Sequence, residues 1–296
     1  MKQITTILFA ILVPYVLSAA PLRFENSFAI RGGVGYNNVD NYLPETFALG
    51  GVAVQFGVGY RHHDVQSGFL FHAGLEVGYG LSMMRHEDLR EERAMYDTEL
   101  EPMTMMYDFS AVRETQHNVM AGVEVLFGYQ HAKGVYFLLG PKVAYAFYNP
   151  VSTSSTVTTS GRYDNLIEDF TDMPDHFFST QQNRGLHVYP SVPKVSLYVE
   201  LGHTIHLSNW RLQARGEKTK DMQIALFAEY GGLFHSHRAE TQTSLVASYS
   251  DGMYMPEVNP FLWYNVNSNF VGNLTCGIKL TYLINWRTCP CRLYKR

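Results

Sequence analysis

Asn273-Leu274-Thr275-Cys276-Gly277-Ile278-Lys279-Leu280-Thr281-Tyr282-Leu283-Ile284-Asn285-Trp286 is the stretch whose reading decides the fold. Taken two residues at a time, Leu274, Cys276, Ile278, Leu280, Tyr282, Ile284 and Trp286 fall on one side. Asn273, Thr275, Gly277, Lys279, Thr281 and Asn285 fall on the other. A period of two belongs to a β-strand, whose successive side chains point to opposite faces. The run is also long. Strands of soluble domains commonly have about 5–6 residues, whereas a tilted strand crossing a hydrocarbon layer needs roughly 9–11.

The same alternation recurs upstream. Phe28, Ile30, Val34 and Tyr36 oppose Ser27, Ala29, Arg31, Gly33 and Gly35. Val52, Val54, Phe56, Val58 and Tyr60 oppose Gly51, Ala53, Gln55, Gly57 and Gly59. Phe69, Phe71, Leu75, Val77, Tyr79 and Leu81 oppose His72, Gly74, Glu76, Gly78 and Gly80, and further runs cover 117–130, 134–148, 193–206 and 222–236. With 268–286 that makes eight. One face is apolar with aromatics near its ends; the other carries Gly, Ala, polar and charged residues. This is the outward-apolar, inward-polar code of a membrane barrel, the inverse of a soluble lipocalin-like barrel. The sequence therefore predicts an all-β fold, an eight-stranded antiparallel up-and-down transmembrane β-barrel over residues 21–286.

The connections alternate in length. Short turns fall near His62 to Gly68 and Gln130 to Gly134, with a medium one from Ser208 to Asp221. Long loops are expected at 85–116, 149–192 and 237–267, and a shorter one at 38–47. Short periplasmic turns and long external loops put both termini in the periplasm of an outer membrane. A ten-stranded count would need a further pair hidden in 85–116 and 237–267. Residues 1–20, with Lys2, an apolar run from Ile7 to Leu17 and small residues to Ala20, read as a signal peptide. Residues 287–296, with Arg287, Arg292, Lys295 and Arg296, read as a basic periplasmic tail.

Composition narrows the function classes. Charged residues make up 17%, too few for a disordered polyelectrolyte, and a net charge of -4 gives no case for nucleic acid. Three cysteines are too few for a disulfide scaffold, and Cys289-Pro290-Cys291 lacks the further ligands a metal site needs. No cofactor is implied.

If the apolar face meets lipid, the inward charged set is Arg31, Glu76, Glu124, Lys142, Glu200, Glu229 and Lys279. Such groups are costly in a narrow lumen unless paired, so a salt-bridged plug is expected. A gated ion path through exchanging pairs is the alternative. Catalysis would need a Ser and a His converging at the lipid boundary. The candidates, His72 with Ser82 and Ser236 with His235 and His237, have no triad spacing. His235 and His237 share a strand face without a third ligand, so no metal site is assigned. The loops carry the recognition surface. The first long one is acidic through Glu87, Asp88, Glu91, Glu92, Asp97, Glu99 and Glu101; the second opens with the Ser/Thr run 152–160.

Thr275, Gly277, Leu280 and Tyr282 resemble the signal by which the barrel assembly machinery recognises its clients. More broadly, the chain resembles the OmpA/OmpX-like outer-membrane barrel (porin-family) proteins of Bacteroidetes. The resemblance rests on Tyr136-Phe137-Leu138-Leu139-Gly140-Pro141-Lys142, Leu226-Phe227-Ala228-Glu229-Tyr230-Gly231 and Asp172-Met173-Pro174-Asp175-His176, and it extends over nearly the whole mature chain. It implies a barrel without a reaction, serving envelope integrity or loop-mediated binding. The partners it implies are outer-membrane lipid and lipopolysaccharide, the assembly machinery and an unnamed external ligand. A small porin-like channel, an accessory barrel of a type IX secretion apparatus and a lipid-modifying enzyme stand as alternatives.

Overall fold

The computed structural model describes residues 24–39, 46–97, 99–164, 169–171, 178–189, 191–207, 219–234 and 270–288. Eleven strands follow one another: β1 (Phe24–Val39), β2 (Thr46–Asp64), β3 (Phe69–His86), β4 (Leu89–Tyr96), β5 (Pro102–Gln130), β6 (Val135–Tyr163), β7 (Phe170–Thr171), β8 (Thr180–Tyr189), β9 (Val192–His206), β10 (Thr219–Phe234) and β11 (Phe270–Thr288). Every pairing is antiparallel, and no helix occurs among the described residues.

Eight of these strands close a ring of pairings in the order β1–β2–β3–β5–β6–β9–β10–β11 and back to β1. Phe24 is the register partner of both Thr288 on β11 and Asp64 on β2, so both described chain ends lie at the end of the ring that holds the tight turn 65–68. Gly68 (φ 77) and Gly134 (φ 91) sit in the two short turns with positive φ, which a side chain would strain.

The other three strands correct the expectation of loops at 85–116 and 149–192. β4 continues β3 along β5, and β8 precedes β9 along β6. The 29-residue strands β5 and β6 thereby run beyond the ring and, with β4, β7 and β8, build a projecting sheet. The extra strands prolong members of the ring rather than enter it. Met103, Met105, Tyr107, Phe109, Val112, Val157 and Phe178 give this projection a core of its own. The residues 1–20, 208–218, 237–267 and 289–296, and with them the signal peptide, most of the medium turn, one long loop, Cys289, Cys291 and most of the tail, lie outside the described residues.

Burial is inverted relative to a soluble protein. Val34, Leu75 and Leu226 are 56%, 60% and 63% exposed, whereas Arg31, Glu124, Lys142, Glu200 and Lys279 are at most 2% exposed. Outward aromatics gather near the two ends of the apolar band: Tyr60, Trp286, Phe69 and Tyr129 toward the tight turns, and Tyr36, Tyr79, Tyr145 and Tyr230 toward the projection. From Phe69 to Tyr79 is about 33 Å along a strand and about 25 Å along the axis of a ring tilted near 40°, the height of a barrel's lipid-facing band. The inward face is less polar than expected. Leu70, Leu126, Tyr136, Leu138, Tyr198, Ala225 and Phe227 form a buried apolar cluster inside the ring, and Leu283 is also buried.

Candidate functional site

Strand parity positions the interior. Along β10 the inward residues run Asp221, Gln223, Ala225, Phe227, Glu229, Gly231 and Leu233 from the tight-turn end upward. The sequence thus stacks a polar layer, an apolar layer, an ionic layer and a second apolar layer. The last contains Val39, Met84, Ala146, Val151, Val192 and Leu233.

The structure places all seven predicted charged residues inside the ring and joins them in ion pairs. Arg31 donates to Glu124 through one terminal nitrogen and to Glu200 through the other. Lys142 bridges Glu76 and Glu229, the latter at 2.8 Å. Lys279 reaches the second oxygen of Glu76 at 2.8 Å. Hydroxyls complete the carboxylates: Tyr136 and Tyr198 each donate to Glu200 at 2.7 Å, and Ser196 donates to Glu229 at 2.9 Å. Lys279 Nζ also lies 4.6 Å from the Tyr198 ring centre and 5.0 Å from that of Phe227. A cation over a desolvated ring face gains from the ring quadrupole, so the apolar layer also serves the ionic one.

Sequence reasoning missed several members. Lys194 pairs with Glu229 at 2.7 Å and donates to Asn273 at 2.7 Å. Arg61 donates to Gln223 and lies 4.9 Å from the Tyr136 ring centre. His72 Nε2 is 3.1 Å from both Arg31 Nη1 and Glu124 Oε1, so one tautomer accepts from the arginine and the other donates to the glutamate. All three share a parity that the alternation turns inward: Arg61 that of Gly57 and Gly59, Lys194 that of Glu200, His72 that of Glu76.

Other sequence candidates are not brought together. His72 and Ser82 stand on the same strand about 33 Å apart, and the Ser82 hydroxyl accepts from the Val39 amide at 3.3 Å. His235, Ser236, His237 and the segment Asp172–His176 lie outside the described residues. The described residues hold no cluster of three metal-ligating side chains. Of the proposed assembly signal, Thr275 points inward to Asn37 at 3.0 Å, Gly277 approaches the Val34–Gly35 backbone, and Leu280 is exposed on the outer face.

Outside the ring, two ion pairs tie the projection together. Arg90 binds Asp108 at 2.6 Å and Arg162 binds Asp169 at 2.9 Å, both exposed. Tyr163 donates to Asp97 at 2.9 Å, and burial, then that carboxylate, pushes its phenol up to about 12.

No family model and no curated protein matches the chain. Among solved structures it aligns with Ail, the attachment invasion locus protein of Yersinia pestis, in complex with the heparin analogue sucrose octasulfate. That alignment has 10% identity and a TM-score of 0.27 over 88% of this chain and 99% of the other. The deltaS2S3 mutant of the TodX monoaromatic hydrocarbon channel aligns at 10% identity and TM-score 0.15 over 94% of each chain. The InvG secretin-domain β-barrel from the Salmonella SPI-1 injectisome gives 8%, 0.12, and 96% of this chain against 68% of the other. At overlaps this low none of the three bears on the reading of this chain.

Proposed function

We propose that the chain is an integral outer-membrane protein, an eight-stranded antiparallel β-barrel with both termini in the periplasm. Its role in this reading is non-catalytic: envelope support, and binding through the projecting sheet and loops. The observation that carries the reading is the inversion of burial, with an apolar exterior around an interior of matched charges. In water, that exterior would associate; in lipid it is the favourable surface. A cation such as Lys279, 1% exposed, persists there only because Glu76 and two aromatic rings receive it. The interior is filled by its own side chains, as an eight-stranded ring allows, which supports a plug over an open pore.

In the same reading Thr275, Gly277, Leu280 and Tyr282 present the closing strand to the assembly machinery, and residues 1–20 direct export. The test is refolding of the mature chain into vesicles. We expect flotation with lipid, a gel mobility that changes on boiling, and no steady conductance in planar bilayers. A protein that stays monodisperse in buffer without detergent overturns the membrane reading. Steady openings overturn the plug.

A further inference from the structure

β4 is an edge of the projecting sheet. Among the described residues it pairs with β5 alone, so its other side offers a row of amide and carbonyl groups to no described strand. All eight of its residues are exposed or half-buried. Leu89, Glu91, Arg93 and Met95 share the face toward the projection's core. Leu89 and Met95 pack against that core, and Arg93 donates to Glu91 at 2.9 Å. Arg90, Glu92, Ala94 and Tyr96 share the other face.

This order is self-complementary. Placed antiparallel beside a second copy of itself with Glu92 on the axis, β4 sets Leu89 opposite Met95 of the second copy. It also sets Glu91 opposite Arg93 of the second copy, and each pair occurs twice. Apolar pairs and opposite charges facing across neighbouring strands stabilise an antiparallel ladder. The Glu91–Arg93 pair within each copy becomes one side of a ring of four alternating charges, and the apolar pairs extend both projection cores into the seam. Other registers lose this match. Moving the axis to Arg93 sets the two Arg93 residues against each other; moving it to Glu91 opposes the two Glu91 residues and puts Leu89 against Arg93. The costly contact is Glu92 against Glu92, with the two Arg90 side chains diagonal to it.

The axis also fixes how the two molecules face. The twofold of an antiparallel pair stands perpendicular to its sheet. β4 continues the line of β3 along β5, so its sheet runs with the wall of the ring and the twofold lies parallel to the membrane plane. Rotation about it inverts the second barrel, which fits two facing membranes and not one. The seam clears the bilayer. Tyr79 pairs with Val119 and Glu92 with Met106 along β5, which sets Glu92 roughly 30 Å above the apolar band at the usual tilt.

We propose that β4 pairs antiparallel with β4 of a second copy in a facing membrane, making the projection a homophilic contact between two membrane surfaces. Each seam is short, and many copies on each surface add up through effective concentration. The inference rests on the membrane-barrel reading above and names a partner for its projecting sheet.

The test mixes two dye-labelled populations of phosphatidylcholine vesicles, formed around the mature chain by detergent removal so that both orientations are present. Clustering is read by energy transfer and electron microscopy. Wild-type vesicles are expected to cluster with each other and not with protein-free vesicles. Arg93→Glu and Glu91→Arg each set like charges opposite one another, and each alone is expected to lose about tenfold or more of the clustering. Mixed together, one variant per population, they restore opposite charges at both positions and are expected to cluster again. Glu92→Gln removes the repulsion on the axis and is expected to cluster more strongly than wild type. Boiling-sensitive gel mobility reports folding of each variant. Folded wild-type vesicles that stay dispersed, single variants that cluster like wild type, or a mixture no better than either variant alone each overturn the pairing and leave the barrel standing. Clustering with protein-free vesicles overturns the homophilic partner. A mature chain that enters no vesicle overturns the membrane reading as well.

Discussion

Glu229 accepts from Lys142, Lys194 and Ser196, and from Gln55 at 3.3 Å, while 0% exposed. Replacing it by Gln leaves two buried ammonium groups short of a counter-charge, which costs about 3–5 kcal/mol where one partner of a buried pair is lost. We expect the urea midpoint of vesicle-embedded Glu229→Gln to drop accordingly, and Lys194→Met added to it to restore part of the loss. A double variant no better than the single would count against charge matching as the cause. Asp64, in the turn outside the lipid band, tests a smaller effect. Burial alone would raise its carboxyl, but the Ser67 hydroxyl at 2.6 Å and the Gln66 and Ser67 amides outweigh that and hold it below the ordinary value. A carboxyl depressed on folding contributes stability above its unfolded pKa near 4, lost as pH falls through the lower folded value. Asp64→Asn is therefore expected to cost about 1 kcal/mol at neutral pH, with the difference from wild type vanishing in strong acid; a gap that widens in acid would reverse the sign. The seven charges were legible because each interrupts a polar parity populated by Gly and Thr. Arg61 and Lys194 share those parities but stand toward run ends, where sequence does not separate a last inward residue from a first rim residue. Tyr136, Tyr198 and Phe227 were hidden differently: an aromatic at the lipid boundary and one inside look alike in hydropathy, and only parity tells them apart.

The ring strands were readable because their two faces differ in chemistry, and the projecting part of β6 was not because its faces do not. Ser152 to Ser160 carries β-favouring threonines but is polar on both faces, so it lacks the contrast by which alternation is seen. Its strand identity comes from pairing with β5 and β8 on either side. Along β6 the inward parity is even up to Ala146 and odd from Asn149 onward. The switch falls where Val119 pairs with Tyr148 while Met120 pairs with Ala146, leaving Phe147 as an extra residue in the ladder. A bulge of this kind changes which parity points inward without breaking the strand. Deleting Phe147 therefore regularises the ladder and leaves Asn149, Val151 and Val157 on their present side. Deleting Ser152 shifts every later residue by one and turns Val157 out of the projection's core. We expect limited proteolysis to find the first variant as resistant as wild type and the second cleaved within 89–189, with the ring intact in both. Equal resistance of the two would mean that the projection's core does not depend on β6 register.

At the scale of the whole molecule, the interior is closed by a division of labour between walls. β1, β2 and β3 present glycines inward, while β6, β9, β10 and β11 send Lys142, Lys194, Tyr198, Phe227, Glu229 and Lys279 across to them. A Cβ at Gly33 would come within 3.2 Å of Lys279 Cε and 3.5 Å of Phe227 Cε1, so this glycine is a seat for large residues of the opposite wall. Two buried apolar clusters flank the ionic groups inside the ring. In the proposed reading this arrangement favours a plug over a gate whose pairs trade partners, because rearranging the ionic layer alone leaves both apolar layers in place. A Glu76→Gln/Glu124→Gln variant is expected to lose stability yet to remain silent in planar bilayers. Tyr136→Ala/Tyr198→Ala/Phe227→Ala hollows the lower apolar layer and withdraws two hydroxyls from Glu200 and two ring faces from Lys279. Combined with the two glutamine substitutions it still leaves the layer of Val39, Met84 and Leu233 in place, so conductance is expected only when Met84→Ala and Leu233→Ala are added. Openings from the glutamine variant alone would show that the apolar layers do not seal the ring, and the interior would then have to be read as a gate.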